Sequence, residues 1–410
     1  DLHVIGIDRG ERNLIYVSVI DMYGRILEQK SFNLVEQVSS QGTKRYYDYK
    51  EKLQNREEER DKARKSWKTI GKIKELKEGY LSSVIHEIAQ MVVKYNAIIA
   101  MEDLNYGFKR GRFKVERQVY QKFETMLISK LNYLADKSQA VDEPGGILRG
   151  YQMTYVPDNI KNVGRQCGII FYVPAAYTSK IDPTTGFINA FKRDVVSTND
   201  AKENFLMKFD SIQYDIEKGL FKFSFDYKNF ATHKLTLAKT KWDVYTNGTR
   251  IQNMKVEGHW LSMEVELTTK MKELLDDSHI PYEEGQNILD DLREMKDITT
   301  IVNGILEIFW LTVQLRNSRI DNPDYDRIIS PVLNNDGEFF DSDEYNSYID
   351  AQKAPLPIDA DANGAFCIAL KGMYTANQIK ENWVEGEKLP ADCLKIEHAS
   401  WLAFMQGERG

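Results

Sequence analysis

The apolar and polar positions divide the chain into short, readable elements. His3-Val4-Ile5-Gly6-Ile7-Asp8 is an apolar run that ends on a carboxylate, and it reads as a buried strand. Residues 14–21 repeat the signal with β-branched Ile15, Val17, Val19 and Ile20. Gly24 then turns the chain, and residues 26–32 give a third strand. From 77 to 95, Leu81, Val84, Ile85, Ile88 and Val92 recur at helical spacing. This helix leads into the run Ala97-Ile98-Ile99-Ala100-Met101, which ends on Glu102. Strand, helix and strand of these lengths fit a right-handed crossover onto a parallel neighbour. Residues 115–137 predict a second amphipathic helix, with Phe123, Met126, Leu127 and Leu131 on one side, and 168–173 predict a further strand. Residues 47–67 lack a core-width apolar stripe and carry Glu–Arg pairs, the pattern of a long, mostly exposed helix. Beyond 174 the pattern loosens: short strands such as 220–225 alternate with helices up to 357, and helical signals return from Asp359. The expected fold is α/β, a mixed sheet flanked by helices, with a long exposed helix and an inserted α+β domain.

Length and composition change this picture little. At 410 residues and 42% hydrophobic, the chain has room for two or three domains with full cores. It opens at Asp1, directly on a strand, which suggests the C-terminal part of a longer polypeptide or an expressed fragment. No leader and no apolar run of membrane-spanning length is evident; the best stretch, 305–315, is too short and contains Glu307, so a buried helix is expected there and no membrane partner. Cys167, Cys367 and Cys393 are sparse, as suits a reducing cytoplasm, and no histidine pairs with them at zinc spacing.

Charge adds more. The net charge of −7 argues against a nucleic-acid partner, but its distribution does not. Between Arg60 and Lys77 there are eight basic residues against two acids, and between Gly107 and Lys122 six against one. Acid concentrates in 273–297 and 336–350. A pair of solvated helix faces would give the same basic stretches. The loop 105–113 interleaves Tyr106, Phe108 and Phe113 with Lys109, Arg110 and Arg112, which suits a phosphate backbone with rings offered to bases; an ordinary basic linker is the plainer reading.

Three carboxylates stand out because each closes or opens an apolar element: Asp8 and Glu102 at strand ends, Asp361 at a helix start. Functional groups of α/β sheets collect at the carboxyl ends of strands. Carboxylates held close repel one another unless a cation neutralises them, and Mg²⁺, hard and oxygen-preferring, is the natural one. A pair of such ions could activate water and stabilise a departing oxygen without a protein nucleophile. The pattern points to a nuclease of the RNase H type. Each acid also has a plain role: Asp8 as a turn cap, Glu102 as a solvated strand end, Asp361 as an N-cap. Asp103 competes with Glu102, and spacing does not separate them. The Asp8 segment also resembles the phosphate hairpin of actin-like ATPases, but Glu11, Arg12 and Asn13 follow where that hairpin has small hydroxyl residues, and no Gly-Lys-Ser/Thr loop is present.

Longer motifs narrow the reading. Ile5-Gly6-Ile7-Asp8-Arg9-Gly10-Glu11-Arg12-Asn13-Leu14, Met101-Glu102-Asp103-Leu104-Asn105, Tyr177-Thr178-Ser179-Lys180-Ile181-Asp182-Pro183, Leu315-Arg316-Asn317-Ser318, Ile329-Ser330-Pro331-Val332 and Asp359-Ala360-Asp361-Ala362-Asn363-Gly364-Ala365 closely resemble, in order, the type V-A CRISPR effector nucleases (Cas twelve-a, also known as Cpf-one). Phe366 and Leu315 stand where that family often has Tyr and Met. The resemblance implies an RNase H-like (RuvC) domain in three parts: parts I and II over 1–173, part III over 358–410, and a Nuc domain inserted over 174–357. It implies a bridge helix at about 47–67, with Trp67 docking into a recognition lobe, and a lid loop at about 105–113. It matches Asp8, Glu102 and Asp361 to the family's catalytic, metal-binding acids, which favours Glu102 over Asp103. Arg316 matches a Nuc-domain arginine near the site, with Gln314, Ser318 and Asp326 as polar neighbours. The implied activity is Mg²⁺-dependent endonuclease cleavage of DNA by two ions, for which Mn²⁺ can substitute, leaving 5′ phosphate and 3′ hydroxyl ends. The implied partners are target and non-target DNA strands, guide RNA and a recognition lobe, in a bacterial cytoplasm. Two other readings stay open: a silent fragment that binds nucleic acid or partner protein without cutting, and a compact transposon-associated RuvC-like nuclease.

Overall fold

A computed structural model of the chain describes residues 2–9, 13–38, 42, 44–52, 55, 58–59, 62, 73–103, 116–134, 138, 169–189, 191, 198–230, 239–295, 298–322, 325–347, 355–382, 384, 387 and 395–407. The chain divides into two compact units. The first comprises Asp1–Thr178 with Asp361–Ile396, the second Ser179–Ala360 with Glu397–Gly410.

The first unit is built on a five-stranded mixed sheet. β1 (His3–Asp8), β2 (Tyr16–Asp21) and β3 (Ile26–Ser31) form an antiparallel meander. The turn between β2 and β3 sits on Gly24, whose φ of 79° is open to glycine, while Asp21 Oδ1 accepts from the Tyr23 and Arg25 amides at 2.9 Å. A hairpin of β4 (Leu34–Val38) and β5 (Lys44–Asp48) follows. Residues 47–48, expected to start the long exposed helix, instead close this hairpin: Tyr47 and Asp48 pair with Val35 and Leu34, and the Tyr47 ring leans on Tyr49. The described residues that follow, 49–52, 55, 58–59 and 62, are helical, as expected; the rest of 47–67, Trp67 included, lies outside the described residues, as does 105–113. Helix α1 (Ile73–Tyr95) carries the chain to β6 (Ala97–Asp103), which lies parallel to β1; helix α2 (Glu116–Leu134) precedes β7 (Ile170–Pro174), parallel to β6. The sheet order is therefore β3-β2-β1-β6-β7.

The parity of the strands sorts the two faces. Ile5, Ile7, Val17, Val19, Ile99 and Met101 join Leu81, Val84 and Ile88 of α1 and Phe123, Leu127 and Leu131 of α2 in one core. The other face receives helix α8 (Ala360–Asn382). Its approach needs glycine: a Cβ at Gly6 would stand 2.8 Å from Ala369 Cβ and closer still to the Ala365 carbonyl, and one at Gly372 would stand 2.7 Å from Ala100 Cβ. Small residues on both sides thus let helix and sheet meet backbone to backbone.

The second unit has its own core. β8 (Phe209–Asp215), β9 (Leu220–Asp226) and β10 (Lys241–Tyr245) form an antiparallel sheet in the order β10-β9-β8. Helices α3 (Asn199–Leu206), α4 (Leu267–Asp277), α5 (Ile288–Glu294) and α6 (Thr299–Thr312) surround it. Phe205, Phe209, Phe223, Phe225, Phe230 and Phe309 pack together, mostly edge to face, with Phe209 and Phe309 centroids 5.0 Å apart. The hairpin β11 (Thr249–Val256) and β12 (His259–Glu266) and the sheet β13 (Arg316–Asn317), β14 (Arg327–Leu333) and β15 (Phe339–Asp341) complete it, with short α7 (Ser342–Ser347). The last helix, α9 (His398–Gly407), stands in this unit and not with residues 361–396 as the sequence suggested. Gln406 explains it: its Oε1 accepts from the Lys239 amide at 3.0 Å and its Nε2 donates to the Gly186 carbonyl at 3.3 Å. Among the described residues, no helix is long and apolar enough to cross a membrane.

Candidate active site

Asp8 and Glu102 are brought level by register alone. β1 and β6 run parallel, with Ile7 opposite Met101, and the two acids are the next residue in each strand. Neighbouring strands lie about 4.8 Å apart, so the carboxyl ends of two adjacent strands each present an acid at the same height. Asp8 shares the parity of Gly6, and Glu102 that of Ala100, so both belong to the face covered by α8. That parity belongs to Glu102 and not to Asp103. Asp361 is the second residue of α8, and the same helix start is laid directly on Asp8: a Cβ at Gly364 would stand 2.9 Å from Asp8 Cγ. All three acids therefore lie in the first unit, drawn from positions 94 and 259 residues apart (102 − 8; 361 − 102).

The electrostatics bear the mark of this crowding. Asp8 is 9% exposed and Asp361 3%. Burial first, then the Glu102 and Asp361 charges, push the Asp8 carboxyl well above its ordinary range, against the pull of Arg9. Burial also raises Glu102, opposed by the Thr178 hydrogen bond, Arg9 and Lys371.

Each acid has partners that fix it. Thr178 Oγ1 donates to Glu102 Oε1 at 3.0 Å. Arg9 donates through Nη2 to the Glu102 carbonyl oxygen at 3.0 Å and through Nη1 to Glu124 Oε1 at 3.1 Å, tying β1 to β6 and α2. Lys371, buried one face of α8 further along, donates from Nζ to the Pro174 and Ala176 carbonyls, both at 2.6 Å, and so holds the loop that delivers Thr178. Burial pushes its pKa down to about 8. Asn13 donates twice to Asp361 Oδ2, from its backbone N at 2.9 Å and from Nδ2 at 2.8 Å. Asp361 thus takes its bonds from a turn residue far back in the chain, a different arrangement from a plain N-cap.

The other expected site residues fall in the second unit. Arg316 pairs with the nearly buried Asp326 at 2.8 Å. Gln314 is exposed, and its carbonyl accepts from buried Arg250 Nε at 3.0 Å. Ser318 lines a cleft of about 460 Å³ together with Arg319, Arg327 and Glu264. Lys109, Arg110, Arg112 and Trp67 lie outside the described residues.

The family that matches the chain is the RuvC nuclease domain, over residues 1–410. The chain belongs to the RuvC nuclease domain family. Its first unit accordingly has the RNase H-like α/β fold of a RuvC nuclease, and the level acids of β1 and β6 sit where such a sheet presents its chemistry. RuvC nucleases typically use divalent metal ions. The donor set fits one in kind: hard carboxylate oxygens, with the Asp8 carboxyl raised by burial and by the neighbouring Glu102 and Asp361 charges, which a cation would offset. Spacing is the counterweight: among the described residues, no three His, Cys, Asp or Glu side chains form a group able to hold a metal ion as they stand. Sequence reasoning missed Arg9, Asn13, Thr178 and Lys371. Arg9 and Asn13 lie in the Ile5–Leu14 motif and Thr178 in the Tyr177–Pro183 motif, so the signal was present as motif membership; Lys371 gave none beyond a lone charge in an apolar helix.

Proposed function

We propose that this RuvC nuclease is the cutting part of a type V-A CRISPR RNA-guided DNA endonuclease, and that Asp8, Glu102 and Asp361 form its hydrolytic centre. The observation that carries the reading is geometric: two acids level at the ends of adjacent parallel strands, with the helix start bearing the third laid on the first through Gly364. The ordered motifs of the sequence support the narrower assignment. The three carboxylates would hold Mg²⁺, or Mn²⁺ in its place; two such ions supply an activated water and a stabilised 3′ oxygen. The chain's own part is to bury these carboxylates, to orient Glu102 through Thr178, and to oppose through the Arg9 charge the burial that raises the Asp8 and Glu102 carboxyls. Arg316 would carry phosphate charge in the second unit, and Lys109, Arg110 and Arg112 would track single-stranded DNA. Guide RNA, the two DNA strands and a recognition lobe are the partners this reading implies.

A second reading has one observation behind it. Because the described acids do not stand ready to ligate an ion, the chain by itself could bind nucleic acid without cutting. Incubation of the purified chain with single-stranded DNA in Mg²⁺ separates the two. Cleavage that disappears in EDTA and in Asp8→Ala supports the first; silence of the unaltered chain, with retained binding, supports the second.

A further inference from the structure

Asn13 is placed by an amide network that has only one consistent arrangement. Its Nδ2 and backbone N both donate to a single oxygen, Oδ2 of Asp361, at 2.8 and 2.9 Å. Its Oδ1 accepts from Ser31 Oγ at 2.7 Å and from Asn33 Nδ2 at 3.0 Å. The orientation of Asn33 is fixed in turn, because its Oδ1 accepts from the Leu14 amide at 2.9 Å, and an amide N–H can only donate. With Asn33 presenting its NH₂ to Asn13, the oxygen end of Asn13 must face Asn33 and Ser31, and its NH₂ end must face Asp361. Ser31 Oγ also accepts from the Asn33 amide at 3.3 Å, so its proton is free for Asn13. The end of β3 therefore dictates, through two side chains, which way Asn13 points and how the Asp361 carboxylate is turned.

Two donors on one carboxylate oxygen hold the plane of the group, and Asn13 does this without adding charge. A structural tie between a helix start and a neighbouring turn is served equally well by Lys or Arg, which would cancel the negative charge. A neutral clamp keeps that charge for a cation. Such outer partners orient ligands and tune their affinity.

We infer that Asn13, itself aligned by Ser31 and Asn33, is the positioning residue that sets Asp361 for divalent-ion binding. The inference rests on Asp361 being a metal ligand. Mn²⁺ titration of the 410-residue chain by electron paramagnetic resonance tests it without requiring cleavage, alongside thermal melts in EDTA. Asn13→Ala should weaken Mn²⁺ binding about 10–100-fold, the usual scale for an outer-shell partner. Ser31→Ala should weaken it about 2–10-fold, the scale of one neutral hydrogen bond. Because Ser31 acts through Asn13, the double variant should bind no more weakly than Asn13→Ala alone. Equal Mn²⁺ affinity in Asn13→Ala and the unaltered chain, whatever happens to the melt, overturns the inference and leaves a purely structural tie. Additive losses in the double variant overturn the part assigned to Ser31. Should Asn13→Ala not fold, Ser31→Ala decides: unchanged affinity there overturns the alignment. An unaltered chain that binds no Mn²⁺ removes the reading of the carboxylates on which all this stands, and is told apart by that control.

Discussion

At the scale of residues, Asp8 is the group under most tension. Its carboxyl is buried, faces two other acids, and holds its proton well above the ordinary value of 3.8. A carboxyl raised in the folded state binds protons that the unfolded chain has already released. Its contribution to stability is complete below the ordinary carboxylate range and is lost as pH rises through the raised value. In EDTA, Asp8→Asn should therefore melt higher than the unaltered chain at pH 7, and the two should converge near pH 4. A gain of roughly 1 kcal/mol would appear as about 2–4 °C in a unit of this size. Melts followed by circular dichroism check this; a variant that melts lower at pH 7 would show that the charge is not costly where it sits. This tension could not be seen from the residues alone. An acid at the end of an apolar run shows where a strand stops, but not that Gly364 lets a helix close over it. Asn13 was hidden for a related reason: in a turn, Asn reads as a turn former, and its bonds to Asp361 cross most of the chain.

Among the elements, α8 decides whether the acids can meet. It carries Asp361 at its start, crosses β1 on Gly6 and clamps the Thr178 loop through Lys371. A methyl at Gly6 would meet backbone atoms of Ala365 and Ala369, not a flexible side chain, so the helix would have to lift. Gly6→Ala should cost the upper part of the about 1–3 kcal/mol typical of overpacking, near 6–12 °C in the melt. A melt within about 2 °C of the unaltered chain would mean the helix and strand are not in the contact described. The strands and crossover helices of the first unit were legible because period and length both spoke for them: β1, β2, β6 and β7 each follow an apolar or β-branched run, and β3 follows the turn at Gly24. The β4–β5 hairpin was not, since Lys44, Arg45, Tyr46 and Asp48 have no apolar alternation and Tyr47 and Tyr49 gain their place only by packing.

For the whole molecule, two separately packed units carry different chemistry. The RuvC unit carries the three acids, while the second has a core of phenylalanines packed mostly edge to face and its own arginine–aspartate pairs. A net charge of −7 would oppose DNA at long range, so the proposed function needs the basic residues of 60–77 and 107–122 to offset it. Single acids were readable in sequence; that they share one unit and one sheet face follows from register and α8. Their convergence on an ion is the claim everything else serves. Crystals of the chain soaked in Mn²⁺ and measured at the manganese absorption edge test it directly. The expected result is an anomalous peak within about 2.0–2.6 Å of carboxylate oxygens from Asp8, Glu102 and Asp361. Soaked crystals with no manganese near Asp8, or with one of these acids turned away from an occupied site, would contradict it.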